Sequence, residues 1–261
     1  MPSFVSCQSL NPIQNSDKNE LHQIGSGFWN VRGRFKILAK LVDIETHMSF
    51  IQLHNGKFLV IDTIELNDKL RQEINHLTDN GDKIEAVIGT HPFHTLSFPA
   101  FYESYPNAVY YGTPRHLRRL THIPWIGNLH DCDVRKKWEP DVELRIPADK
   151  PNFLLKLFGY KDGTMAFHPS IKNVGLHPTS DAPYLFRDWM RNMLNDWPFE
   201  NICCAHMGVK KGGAHRDVFT LLVKAEFLFA KLSKRNRKQN PEGELATSNH
   251  HTMNILEDEC G

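Results

Sequence analysis

Two histidines three residues apart close the stretch Ile84-Glu85-Ala86-Val87-Ile88-Gly89-Thr90-His91-Pro92-Phe93-His94-Thr95. Neutral imidazole is the commonest metal ligand among side chains. An apolar run ending in a pair of them puts the pair on a loop at the carboxyl end of a strand, where a rigid sheet can hold ligands toward a metal or a substrate. A plainer role is also open: the rings cap the strand end and hydrogen-bond to backbone, with no ion. The chain has fifteen histidines, so position must decide between the two. Arg115, Arg118 and Arg119, with His116, follow Gly112-Thr113-Pro114 on a short helix; they could grip an anion through charge-assisted bonds or simply face solvent. Lys210-Lys211-Gly212-Gly213 exposes backbone N–H groups and could reach a carboxylate. Cys203 and Cys204 fall inside an expected strand and read as inert core, because an activated thiol needs an accessible, electropositive setting.

These groups need elements to position them. Met48 to His54 and Lys57 to Asp62 read as a hairpin closed by Asn55-Gly56, a type I′ turn signal. Leu66, Leu70, Ile74 and Leu77 repeat at helical spacing up to Asn80-Gly81. Glu85 to Thr90 is a short apolar strand; a helix over Phe98 to Tyr105, a strand over Ala108 to Gly112 and a helix opened by Pro114 follow. Further on, Val142 to Pro147 alternates like a strand, and Phe153 to Phe158 with Gly163 to His168 suggests a hairpin. Pro183 to Leu194 reads as a helix and Asn201 to Ala205 as a buried strand. Val218, Leu221, Leu222, Ala225, Leu228, Phe229 and Leu232 trace one face of a long amphipathic helix. Hairpins first and strand–helix alternation later predict mixed sheets covered by helices.

A chain of 261 residues can bury a sizeable core without disulfides or structural metal. Its 31 basic and 30 acidic residues nearly cancel, which gives no overall nucleic-acid signature. No run approaches the roughly 20 apolar residues that span a bilayer, and Met1 to Gln23 lacks a signal-peptide plan. The five cysteines form no CxxC pair and read as free thiols of a reducing compartment, so a cytoplasmic protein with no membrane partner is expected. Residues 1–23 and 234–261 are expected to be disordered ends around one domain at 24–233; the C-terminal end opens with Lys234-Arg235-Asn236-Arg237-Lys238 and closes on Glu257-Asp258-Glu259.

The order of the Asn55-Gly56 hairpin, Val60-Ile61-Asp62, a helix, Val87-Ile88-Gly89-Thr90-His91 and Val109-Tyr110-Tyr111-Gly112-Thr113-Pro114 resembles the metallo-β-lactamase superfamily. The resemblance covers about Phe28 to Leu232 and implies a four-layer αββα sandwich. Members typically follow the strand with His-x-His-x-Asp-His, which holds one or two zinc or iron ions. Here the later positions hold Phe93, Thr95 and Leu96, and a shift of one residue brings in only His94. Asn201-Ile202-Cys203-Cys204-Ala205-His206-Met207-Gly208 looks like the family's last metal-binding histidine. His168, His177 and Asp181 lie where another histidine and the bridging aspartate are usual, although Gly175-Leu176-His177-Pro178-Thr179-Ser180-Asp181 lacks the usual Gly-Asp. The acid corresponding to Asp62 is commonly structural and helps to orient the site.

The resemblance therefore implies a degenerate, at most mononuclear site of His91, His94 and His206 with Asp181, holding one zinc or iron ion or none. Such an ion would acidify a water for attack on an ester, amide or phosphoester, and Asp181 or His177 would shuttle the proton. Against this hydrolase stands a non-catalytic, metal-free member of the fold that binds a small molecule or a protein. Nucleic-acid processing ranks last: residues 209–238 carry nine Lys or Arg against two acids, but the usual ligand set is missing. The sequence leaves oligomeric state open.

Overall fold

The computed structural model describes residues 18–37, 42–43, 45–145, 158–161, 164–167, 169–172, 176–204 and 208–240. Strands β1 (Leu21–Gly25) and β2 (Phe28–Gly33) form a hairpin, β3 (Lys36–Ile37) and β4 (Val42–Asp43) a small pair, and β5 (Thr46–Gln52) and β6 (Phe58–Ile61) a second hairpin. Then α1 (Asp68–Thr78), β7 (Ile84–Gly89), α2 (Phe98–Ser104), β8 (Val109–Gly112), α3 (Pro114–Arg119), β9 (Trp125–Asn128) and α4 (Cys132–Lys136) alternate. Seven strands make one mixed sheet in the order β1-β2-β5-β6-β7-β8-β9, antiparallel up to β6 and parallel from β6 to β9.

Period-two alternation gives that sheet two apolar faces. Phe58, Val60, Val87 and Tyr110 pack on one face against Leu70 and Ile74 of α1 and Phe98 and Phe101 of α2. Leu59, Ala86, Ile88 and Tyr111 point the other way, toward Leu129 and Trp138. Helix α1 begins where Asn67 Oδ1 accepts the Leu70 N–H at 2.7 Å, and it ends on left-handed residues Asp79 and Asn80. Parallel neighbours need such crossovers, and all three bring the chain back to start the next strand at the same sheet edge.

The later part holds β10 (Phe158–Lys161), β11 (Thr164–Phe167), a 3₁₀ turn (Pro169–Lys172), α5 (Ala182–Asp196), β12 (Ile202–Cys203), β13 (Val209–Lys210), α6 (Ala214–Lys224) and α7 (Glu226–Gln239). Phe186, Met190, Val218, Leu222 and Phe229 form a core of their own there. The mixed α/β class is as expected; among the described residues the strands outside the large sheet occur as two-stranded pairs.

Several expectations are corrected. Asn55-Gly56 does not form a two-residue turn: only Gly56 has positive φ (80°), and the loop spans Leu53 to Lys57, with Asn55 Oδ1 accepting the Lys57 N–H at 2.9 Å. Val142–Arg145 is not a strand, because no neighbouring strand pairs with it; Arg145 lies over the Trp197 ring and bonds Asp196 instead. The later hairpin starts at Phe158, and residues 146–157 lie outside the described set. The single long helix is two, broken at Ala225 (φ −88°, ψ −2°). β1 starts inside the segment expected to be disordered, and α7 continues through Gln239 because Ser233 and Asn236 are buried. Among the described residues no helix is long and apolar enough to cross a membrane.

Candidate functional site

The parallel strands β6, β7 and β8 end side by side, and the groups with chemical capability sit just beyond them. Asp62 follows β6 with φ 53°, a left-handed conformation that Asp and Asn adopt more readily than most residues. Its N–H donates to Ile88 O at 2.8 Å, so the residue is tied to β7 while its side chain turns toward the next loop. The buried carboxylate accepts the Thr90 N–H at 2.8 Å, the Thr90 hydroxyl at 2.8 Å and the His91 N–H at 3.4 Å. His94 Nδ1 stands 3.5 Å from Oδ2, an ion-pair separation at the limit of hydrogen bonding. Burial pushes the Asp62 carboxyl upward, but the His94 and His91 rings and the Thr90 hydroxyl together hold it below the ordinary 3.8.

The loop beyond Thr90 folds so that the His91 and His94 rings lie 4.2 Å apart between centroids, tilted by 36°. The His94 N–H donates to His91 O at 2.9 Å, which closes a turn and brings both rings to one side. His94 is buried and His91 half-buried. Phe93 and Leu96 on the same loop are exposed, and the Arg115 guanidinium lies 4.6 Å from the Phe93 ring centroid. Arg118 and Arg119 face solvent.

His116, read from sequence as part of that exposed basic helix, is fully buried. It occupies the third position of α3, from which the ring turns back under the strand ends. Its Nδ1 accepts the Thr113 N–H at 3.2 Å and its Nε2 lies 3.2 Å from His94 O. That pairing suits the neutral Nε2–H tautomer, which donates to the carbonyl. Gly89 and Gly112 make the room: a Cβ at either would lie 2.8 Å from a His116 atom. A Thr-Pro helix start beside two strand-end glycines was the available signal, and histidine three residues past the cap was its third part.

Burial is the main cause that holds His116 below the ordinary 6.5, with the Asp62 charge and the His94 carbonyl acting in the opposite direction. The unfolded chain then binds a proton that the folded chain refuses, so the stability contributed is complete above 6.5 and is lost as pH falls below it. Asp62 has the other origin but the same sign: its contribution is present above 3.8 and disappears as pH falls through its lowered folded value. Denaturant melts across pH should show an acid limb beginning near 6.5, and His116→Gln, which keeps an acceptor and a donor, should remove that limb. A variant profile that overlays the parent would refute the assignment.

Of the other expected site residues, the described ones sit at the start of α5 and just before it. Asp181 caps α5 with an exposed side chain that the Ser180 hydroxyl bonds at 3.2 Å. His177 is also exposed, and Asn236 Nδ2 on α7 bonds the Thr179 carbonyl at 2.9 Å in the same segment. His206 and His168 lie outside the described residues. Among the described residues no group of three or more His, Cys, Asp or Glu could hold a metal ion, so His91, His94 and Asp181 do not form such a set. Lys210 pairs with Asp217 at 3.0 Å and Lys211 bonds Gln23 O at 3.0 Å, so both have structural partners. Burial pushes the Cys203 thiol far up, in keeping with an inert sulfur.

The chain is similar in structure to a metallo-β-lactamase from Hirschia baltica (14% identity, 78% of this chain and 97% of that one, TM-score 0.44). It is likewise similar to an NDM_FIM-1 like metallo-β-lactamase from Erythrobacter litoralis in the mono-zinc form (12%, 78% and 96%, 0.49). A third such structure is the metallo-β-lactamase FIM-1 from Pseudomonas aeruginosa, also mono-zinc (12%, 82% and 94%, 0.41). No protein-family model and no curated protein matches the chain.

Proposed function

We propose that the chain is a divergent member of the metallo-β-lactamase superfamily and a hydrolase-like protein with at most one metal ion. The observation that supports this reading is the pairing of His91 and His94, 4.2 Å apart between ring centroids, at the carboxyl edge of parallel strands. Two imidazoles, one with its Nδ1 turned toward a carboxylate, suit two ligand positions of zinc or ferrous iron. With no third donor among the described residues, His206 has to supply it. A bound ion would supply Lewis acidity and a water acidified toward about pH 7 for attack on an ester, amide or phosphoester.

The chain's own residues prepare for this. Asp62 faces His94 Nδ1, so Nε2 is the ring nitrogen left for a ligand. Thr90 and the His91 N–H fix the loop backbone against the same carboxylate. Phe93 and Leu96 offer an apolar lip to a small-molecule substrate. The reading uses neither His177 nor Asp181.

A metal-free binding module is the second reading, favoured by the short ligand set among the described residues. Elemental analysis of the full-length chain, loaded with zinc or iron(II) and freed of excess, separates the two. About one ion per chain is expected, lost in His91→Ala and His206→Ala variants whose circular dichroism is unchanged. A folded parent that retains no ion overturns the hydrolase reading and leaves the binding module.

A further inference from the structure

Helices α6 and α7 bury one stripe, in which Val218, Leu222, Ala225, Phe229 and Leu232 recur every three or four residues. Phe219, Val223 and Phe227 repeat every fourth residue on the side turned away from that core, and they are 55%, 57% and 80% exposed. Large apolar side chains gathered on the solvent side of a helix signal a contact surface, whereas single ones need no explanation.

The exposed charged residues of these two helices are all basic. Exposed Arg216, Lys224, Lys231, Lys234 and Lys238 belong to the same two helices. The only acids of those helices, Asp217 and Glu226, are taken up by Lys210 at 3.0 Å and by Arg187 and Arg191 at 3.3 and 2.5 Å. The ridge therefore joins unscreened cations to protruding rings. Phe227, 80% exposed, is the most protruding of the three, and a bilayer surface yields to an inserted ring. Basic residues with phenylalanines between them are what an interfacial helix presents to anionic headgroups.

We propose that the outer face of α6–α7 docks reversibly on anionic lipid surfaces, with Phe219, Val223 and Phe227 inserted at the headgroup boundary and the lysines paired to headgroups. Such a helix lies along the membrane and does not cross it, so the lack of a spanning helix among the described residues does not bear on it. The surface is independent of the histidine loop.

The test is co-sedimentation of the full-length chain with phosphatidylcholine vesicles, alone or carrying about one-third phosphatidylserine. Binding is expected only to the anionic vesicles and should be lost at about 1 M salt, where the screening length falls to about 3 Å. Phe219→Ser with Phe227→Ser, on an exposed face and with circular dichroism unchanged, should weaken partitioning about tenfold or more. Lys231→Glu with Lys234→Glu should do so through charge alone. The proposal fails if anionic vesicles are not bound, or if the serine variant binds like the parent. It also fails if the serine variant's effect is to dissolve a dimer of the chain, which would make the ridge a self-association surface.

Discussion

Asp62→Ala should cost the fold about 3–5 kcal/mol, because removing one partner of a buried charged group strands the others. Thr90 N–H, the Thr90 hydroxyl and His91 N–H all lose their acceptor at once; Thr90 is exposed, so water replaces part of that loss, while the buried His94 ring loses the charge it faces. Against a domain stability of about 5–15 kcal/mol this is a large fraction. Asp62→Asn should cost less: the amide oxygen can still accept from Thr90, and asparagine tolerates the φ of 53°. Denaturant midpoints at neutral pH measure both. An alanine variant within about 1 kcal/mol of the parent would show that the carboxylate does not hold the loop.

Phe229→Ala should be comparably severe, about 3–5 kcal/mol for an emptied ring site. Phe229 is fully buried, with its ring centroid 5.7 Å from that of Phe167 and 6.4 Å from that of Phe186. These residues belong to the α5–α7 core, which shares no member with either face of the large sheet. The loss should therefore fall unevenly. Amide exchange in α5 to α7 should quicken while the central strands β5 to β8 keep their protection. Uniform loss of protection across both regions would mean that the two cores unfold as one.

Legibility in the sequence followed locality. The strand ending at Gly89 and the helix over Asp68–Thr78 could be read because apolar spacing and their ends agree within a few residues. The ring pair was visible because His91 and His94 share one short loop. What depended on distant partners was hidden. Val142–Arg145 alternates like a strand, but alternation does not supply a neighbour to pair with. The break at Ala225 carries no glycine or proline to mark it. His116 looked solvated on its own helix, and only the close approach of Gly89 and Gly112 shows why it is buried.

The aspartate clasp beneath the histidine loop separates architecture from occupancy. Where an ion itself gathers its ligands, stripping it collapses the segment that held it. Here the peptide is already cinched by Asp62 through Thr90 and the His91 N–H, so the loop's shape rests on protein atoms and needs no ion to keep it.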